Sequence, residues 1–406
     1  MALLTSLGWT VVVLVGLTGL AWLARHIDLT VSQRSSPALG PNTFPAPSQQ
    51  DCSGWPMISV LVAAKDEQAV LEKCLRSMLD QDYPNFEVLV INDRSRDQTG
   101  PIAERLAAAD SRLRVLHVRE GELAEGWFGK NNAMRLGVQA ARGQWFCFTD
   151  ADCSQTSRSS LSQAYQYARA NKTEFLSVLP MLVARGFWEK VIQPVCGGIM
   201  VFWFRPNRVN DPADRTAYAN GAFMLMDKQA YWKIGGHEPV KAEVNEDIHM
   251  ARLAKQAGIN LRVVQNDGLY VARMYEGLHA TWRGWSRIFY GSFVQRRRLI
   301  VSLVAMFVMG VLPCATCLAG LIGLLAGSTN PLAWAALAAG AWSILTQQSV
   351  LWRFYPLTGI PRFLTPTYSL GAAVAVAIIA NAIRKVGGRS AVVWRGTTYM
   401  GKQRVG

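Results

Sequence analysis

Trp145-Phe-Cys-Phe-Thr-Asp-Ala-Asp152 places two carboxylates, two residues apart, directly after a short apolar run. Such a run, bounded by polar residues, predicts a buried strand. It is the last of four similar runs that alternate with segments of helical spacing. The predicted strands are Ile58–Ala64, Phe86–Ile91, Leu113–Val118 and Trp145–Thr149, and the predicted helices are 70–81, 102–109 and 131–141. This alternation predicts an α/β fold with a mostly parallel, doubly wound sheet.

Acidic side chains follow three of these strands at the point where each leaves the sheet. They are Asp66 and Glu67 after Ala64, Asp93 after the second strand, and Asp150 and Asp152 after the fourth. Ligands of such sheets bind beyond the carboxyl ends of the strands. Asp150 and Asp152 are close enough in sequence to reach one hard cation, and Mg²⁺ or Mn²⁺ prefers oxygen ligands that it often shares with phosphates. A solvated turn is the alternative for an isolated pair, but the acids at the other strand ends favour a site.

Two common nucleotide-binding classes are excluded by their motifs. No GxGxxG follows the first strand, and no GxxxxGK[ST] occurs anywhere in the chain. The first absence argues against a nicotinamide dinucleotide site, and the second excludes a P-loop.

Charge and hydrophobicity divide the chain into unequal parts. Hydrophobic residues make up 50% of it and charged residues only 17%, with a net charge of +14. From Gly277 to Gly406 there are 13 basic residues and no acid. Because this basic excess lies beside long apolar runs, an anionic membrane surface explains it better than nucleic acid does.

The same patterns predict the order of the domains. They are an N-terminal transmembrane helix (1–25), a Pro/Ser-rich linker (26–56), the α/β domain (57–275), an interfacial basic-aromatic helix (276–298), two to three transmembrane segments (299–384) and a basic tail (385–406). The predicted C-terminal spans are 300–326, 332–352 and 363–383. Arg25 and Arg34 predict a cytoplasmic α/β domain. Four spans that start from an outside N-terminus would place the C-terminus outside the cell. The basic residues of the tail instead predict a C-terminus inside the cell, so the span count and the charge rule disagree.

Four motifs together resemble the family 2 glycosyltransferases of the GT-A, Rossmann-like fold over about residues 57–275. They are Val60-Leu-Val-Ala-Ala-Lys-Asp-Glu67, Asn92-Asp-Arg-Ser95, Phe148-Thr-Asp-Ala-Asp152 and Asn245-Glu-Asp247. Other segments are similar to a membrane-bound branch that includes ceramide-glucosyltransferase-like and hopanoid- or carotenoid-associated enzymes. These segments include Gly126-Trp-Phe-Gly-Lys130, Trp282-Arg-Gly-Trp285 and Val393-Trp-Arg-Gly-Thr-Thr-Tyr399.

The resemblance implies a role for each matching residue. Donor binding falls to Ala64, Asp66, Glu67, Asp93, Lys130 and Asp150, and metal binding to Asp150 and Asp152 with Mg²⁺ or Mn²⁺. Asp247 matches the general base, with Glu246 as its rival; the alternative for both acids is a favourable charge at a helix N-terminus. The acceptor side would include Asn220, Gly221 and Glu246. Arg283 and Trp285 are substitutes there, because the Gln-x-x-Arg-Trp motif of processive synthases is missing.

The predicted function is an inverting glycosyltransferase in the cell membrane, multi-pass, with its catalytic domain in the cytoplasm. It would move a hexose from a nucleotide donor, expected to be a UDP-sugar, to a hydroxyl of a lipid such as a hopanoid, carotenoid or ceramide, by metal-assisted displacement. Its expected partners are the donor, the lipid acceptor and the bilayer, but not nucleic acid. Two alternatives stay open: a processive polysaccharide synthase, and a non-catalytic lipid-binding or scaffold protein.

Overall fold

The computed structural model describes residues 2–35, 37–46, 54–293, 295–386, 392–394, 397–400 and 403–404. They fall into two compact units. The helical unit comprises Met1–Arg34, Ala184–Trp203 and Tyr275–Arg389, and the sheet unit comprises Ser35–Val183, Phe204–Met274 and Ser390–Gly406.

The sheet unit is built on one eight-stranded sheet. Its strands are β1 (Ala38–Leu39), β2 (Ile58–Ala64), β3 (Phe86–Asp93), β4 (Leu113–Val118), β5 (Trp145–Asp150), β7 (Phe175–Val178), β9 (Met224–Asp227) and β10 (Leu261–Asn266), in the order β1-β10-β7-β9-β5-β2-β3-β4. Only β9 runs antiparallel to its neighbours. The prediction of a mostly parallel α/β sheet is therefore confirmed. Smaller sheets join β6 (Cys153–Gln155), β8 (Met181–Leu182) and β11 (Tyr270–Ala272), and, in the tail, β12 (Val392–Trp394), β13 (Thr397–Met400) and β14 (Gln403–Arg404).

Helices cover the large sheet because each presents an apolar stripe. In chain order they are α2 (Leu71–Leu79), α3 (Thr99–Ala109), α4 (Gly129–Ala140), α5 (Ser160–Ala170), α7 (Pro206–Val209), α8 (Lys228–Lys233) and α9 (Glu246–Gln256). On α4, Ala133, Met134 and Val138 are buried against the sheet. A Cβ on Gly137 would lie 2.7 Å from Ile91 Cδ1 and 2.8 Å from Leu61 Cδ2. A glycine there lets α4 approach β2 and β3 closely, which fixes where the first turn of α4 lies.

The helical unit consists of long apolar helices. They are α1 (Ala2–Ser35), α6 (Phe187–Trp203), α10 (Gly277–Ser292), α11 (Arg296–Met306), α12 (Leu312–Leu325), α13 (Pro331–Phe354) and α14 (Tyr368–Val386), with a π-helical turn at Phe307–Val311. Buried polar pairs join them; for example, Thr18 Oγ1 lies 2.7 Å from Ser343 Oγ. Glu189 accepts backbone hydrogen bonds from Gly186 and from Gly277, and so satisfies the N-terminal turns of α6 and α10.

Three segments among the described residues are long and apolar enough to cross a membrane: Thr5–Arg34, Arg296–Leu325 and Arg362–Val386. The predicted span 332–352 is not one of them, although it is helical within α13. Its polar side chains face other helices; Gln347 Nε2, for instance, donates to the Met309 carbonyl at 2.9 Å. Such groups lower the mean hydropathy of a helix without exposing polarity to its surroundings.

The predicted linker 26–56 is largely structured. Helix α1 continues to Ser35 because the guanidinium of Arg353 lies 3.0 Å from His26 Nδ1 and donates to Thr30 Oγ1 at 3.0 Å. Strand β1 then adds to the sheet edge beside β10, with Leu39 fully buried. These contacts come from distant segments, so local composition did not reveal them. Residues 47–53 of this linker, and those of the predicted tail at 387–391, 395–396, 401–402 and 405–406, lie outside the described residues.

Candidate active site

The loops after β2 and β3 are joined by hydrogen bonds at the edge of the sheet. Asp66 Oδ1 accepts from the Arg96 amide at 2.8 Å, and the Asp66 amide donates to Ser95 Oγ at 3.0 Å. Asp66 and Arg94 have positive φ angles of 55° and 57°. For residues other than glycine this conformation is strained, and such strain concentrates at functional sites. Asp66 is half-buried and follows the predicted strand end, two residues after the buried Ala64.

Asp93 is buried at the end of β3 with a partner that the sequence analysis did not identify. Arg94 donates to both of its carboxylate oxygens, at 2.7 and 2.9 Å, and both side chains are at most 3% exposed. A bidentate pair of this kind fixes the orientation of both groups. Asp93 therefore helps to shape the rim of the site together with Arg94.

Lys130, in the first turn of α4, joins two distant parts of the chain. Its Nζ lies 2.7 Å from Asp150 Oδ1 at the end of β5 and 2.8 Å from Glu246 Oε1 at the start of α9. Burial disfavours the ammonium, but Asp150 and Glu246 more than offset this, so the pKa of Lys130 lies well above its usual value. The Lys130 side chain is only 23% exposed, although it lies at a helix start.

Asp247 is held by two backbone amides. Its Oδ2 accepts from Gly221 at 2.8 Å and its Oδ1 from Ile248 at 2.7 Å. Burial, followed by the adjacent Glu246, raises the pKa of Asp247 to about 7, against the opposing effects of Lys130 and the two amides. A carboxylate with this pKa can take up a proton near neutral pH, as a general base must.

Gly221 lies among these charged groups, in the turn before β9. A Cβ there would be 3.2 Å from Lys130 Nζ, 3.6 Å from Asp247 Oδ2 and 3.7 Å from Glu246 Oε1. The missing side chain therefore leaves room beside three charged groups. Asn220 shapes the turn. Its side-chain Oδ1 accepts from the Ala222 backbone amide at 3.0 Å, and its backbone amide donates to Ser177 Oγ at 2.9 Å.

Asp152 completes the acidic edge. Burial, followed by Asp150 and Glu67, raises its pKa to about 7. The described residues include no cluster of three or more His, Cys, Asp or Glu able to cage a metal ion. Asp150 and Asp152 nevertheless fit a hard cation that takes its remaining ligands from substrate phosphate oxygens, because both supply oxygen and a cation would relieve their repulsion.

An aromatic cluster of Tyr231, His237 and Phe148 was not predicted from the sequence. The Tyr231 hydroxyl lies 2.8 Å from His237 Nδ1, and the His237 ring packs against Phe148 at 5.4 Å. Burial, together with Lys130, lowers the pKa of His237 to about 3, so this imidazole is neutral. The sequence offered one signal for this cluster, the glycine pair in Gly235-Gly236-His237. In the structure both glycines have positive φ angles.

Two predicted acceptor-side residues belong to the helical unit. Arg283 and Trp285 lie on α10, where Arg283 is exposed and Trp285 is buried, with its ring 5.6 Å from that of Phe289. The cluster of charged residues itself belongs to the sheet unit.

The comparison with protein families agrees with this geometry. Residues 59–235 match the model described as Glycosyl transferase family 2. The chain carries a family 2 glycosyltransferase domain over these residues. The resemblance drawn from the motifs is thereby confirmed.

Two curated relatives are named for lipid acceptors. The 4,4'-diaponeurosporenoate glycosyltransferase of Staphylococcus haemolyticus is 24% identical over 65% of this chain and 68% of its own length. The beta-monoglucosyldiacylglycerol synthase of Trichormus variabilis is 30% identical over 45% of this chain and 38% of its own length. Across the relatives that it matches first, the chain spans between about a quarter and two thirds of their length.

A solved structure shares the fold of the glycosyltransferase domain. It is a mannosyltransferase of Pyrobaculum calidifontis in complex with GDP-Man and Mn²⁺. The TM-score is 0.50 at 18% identity, covering 92% of this chain and 98% of that one. At this identity the likeness shows the fold alone, and it confirms the GT-A fold class.

The charge balance of the cluster predicts how the stability of the domain responds to loss of the Lys130 ammonium. Lys130→Met leaves the buried Glu246 without a counter-charge, which costs roughly 3 kcal/mol of stability. The thermal midpoint of the purified full chain should fall by several degrees, and adding Glu246→Gln should restore most of it. Lys241→Met, which breaks an exposed lysine–glutamate pair, is the matched control. A midpoint that is unchanged in Lys130→Met would show that the ion pairs do not stabilise the domain.

Proposed function

We propose that the protein is an inverting glycosyltransferase that moves a hexose from a UDP-sugar to a hydroxyl of a membrane lipid. One observation supports this most strongly. Lys130 brings the Asp150 end of β5 to the Glu246-Asp247 start of α9, although these segments are far apart in sequence. A displacement needs a group at each side of the sugar, one for the departing diphosphate and one for the attacking hydroxyl.

The reaction follows from the placement of these two sides. The acceptor oxygen attacks the anomeric carbon from the face opposite the diphosphate, and its proton passes to the Asp247 carboxylate. As the new carbon–oxygen bond forms, the bond to the diphosphate breaks, and UDP leaves with the electron pair. One displacement of this kind inverts the anomeric centre. The Gly221 and Ile248 amides orient Asp247 for the transfer.

The leaving-group side belongs to Asp150, Asp152 and Lys130. When bound, Mg²⁺ or Mn²⁺ would supply Lewis-acid neutralisation of the charge that grows on the diphosphate. Asp150 and Asp152 would hold that ion. The Lys130 ammonium would donate to a diphosphate oxygen, because it is already fixed beside Asp150. Asp66 and Glu67, in the loop after β2, and Asp93, at the end of β3, would hold the uridine.

The lipid acceptor is supported by the helical unit and by the names of the relatives. Three apolar segments are long enough to anchor the chain in a bilayer, and the basic excess after Gly277 favours an anionic membrane surface. We accordingly place the protein in the cell membrane as a multi-pass protein with the sheet unit in the cytoplasm. A carotenoid, a glycerolipid, a hopanoid or a ceramide would supply the required hydroxyl.

Asp247→Asn tests the base. Turnover should fall by about 10²–10⁴-fold, because no carboxylate remains to take the proton, while UDP binding stays intact. In the wild-type enzyme the rate should fall as the pH drops below about 7, since protonation of Asp247 removes the acceptor for the proton. UDP release by the detergent-purified chain, with lipid extract in vesicles, measures the turnover of Asp247→Asn and the pH dependence of the wild type. Normal turnover of Asp247→Asn would exclude Asp247 as the base.

Asp150→Asn and Asp152→Asn test the cation site. Each should weaken Mn²⁺-dependent UDP binding by about tenfold or more, because a bound divalent ion loses one of its two protein ligands. Isothermal calorimetry with and without a chelator measures this. Asp110→Asn, an acid in the turn after α3 that is paired with Arg112, is the control. Equal affinities for all variants, unaffected by the chelator, would contradict the assignment.

A further inference from the structure

Glu246 has no role yet in the proposed reaction, although it is among the most buried acids of the site. Its side chain is 5% exposed, and Oε1 lies 2.8 Å from the Lys130 ammonium. The neighbouring Asp247 keeps partial exposure, and two backbone amides orient it. The accessible acid is therefore suited to meet an acceptor hydroxyl, whereas the buried one faces a lysine.

We propose that Glu246 is a positioning residue that holds Lys130 beside Asp150 before the donor binds and releases it to the diphosphate afterwards, making Asp247 a stronger proton acceptor only when the donor is present. The inference rests on the proposed function, because it assigns Lys130 to the donor. It separates the roles of Glu246 and Asp247, which the sequence left as rivals.

The charges of the cluster make this exchange favourable. The Lys130 ammonium forms ion pairs with Asp150 and Glu246, and its charge also acts on Asp152 and Asp247. A bound diphosphate places acceptor oxygens beside Asp150, and these oxygens compete with Glu246 for the ammonium. Gly221, whose Cβ would lie 3.2 Å from Lys130 Nζ, places no side chain against the ammonium as it shifts from Glu246 to the diphosphate. A long, flexible lysine side chain is suited to this movement.

The consequence for Asp247 follows from the groups that face it. They are Glu246 from its own helix, Lys130 from α4 and Tyr218 from the segment before β9. Tyr218 stays neutral, because burial and Asp247 raise its pKa to about 12. When Lys130 turns to the diphosphate, its stabilisation of the Asp247 carboxylate weakens and the charge of Glu246 is no longer compensated. Both changes favour a proton on Asp247.

Steady-state kinetics can detect this coupling. The acid limb of kcat/KM for the donor reports the free enzyme, whereas the acid limb of kcat reports the complex. In the wild-type enzyme we expect the acid limb of kcat to lie at a higher pH than the acid limb of kcat/KM, and we call this difference in pH the gap. Glu246→Gln should narrow this gap and should tighten UDP binding by a few fold, because Lys130 is no longer held back. It should also lower kcat by about tenfold, since Asp247 becomes a weaker base.

The matched control is Glu238→Gln, which breaks an exposed lysine–glutamate pair and should match the wild type in every measurement. Thermal unfolding identifies a variant that fails to fold, and Glu246→Asp, which keeps the charge, should retain the gap. An unchanged gap together with weaker UDP binding in Glu246→Gln would overturn the inference. Absence of turnover in the wild type and in Glu238→Gln would instead refute the proposed function; tighter UDP binding by Glu246→Gln would then still support the hold on Lys130.

Discussion

The contacts of a single ammonium group, Nζ of Lys130, hold the candidate active site together. Without them, the end of β5 and the start of α9 would present like charges to each other across a partly buried space. Two ion pairs of 2.7 and 2.8 Å turn that repulsion into a connection. Because burial makes an uncompensated charge costly, the geometry of the site depends on this lysine remaining protonated.

The architecture of the sheet explains why the connection is possible. Strands β5, β2 and β3 are adjacent and parallel, so the loops after them lie at one edge. Helix α4 is drawn close to the same strands by the missing side chain of Gly137, which brings its first turn to that edge. The convergence of the acids also argues against a degenerate scaffold domain, since buried like charges are destabilising unless they serve a site.

Much of this arrangement was predictable from the sequence. Strand ends, helices α2 to α4 and the acids at the sheet edge follow from local hydrophobic pattern, and β2 matches its prediction at both ends. Contacts between distant segments were not predictable. The pairing of Glu246 with Lys130, strand β1 and the extension of α1 all depend on partners far away in sequence. Charged or polar residues in those places look like ordinary surface residues until the fold brings their partners near.

We propose that this domain attaches a sugar to a membrane lipid. Mass spectrometry of total lipids from a deletion strain and its parent tests it most directly. The account predicts that deletion removes a lipid species bearing a single hexose, and that the wild-type gene, but not Asp247→Asn, restores it. An unchanged lipid profile, or the loss of a ladder of long saccharide chains in place of one glycolipid, would contradict it.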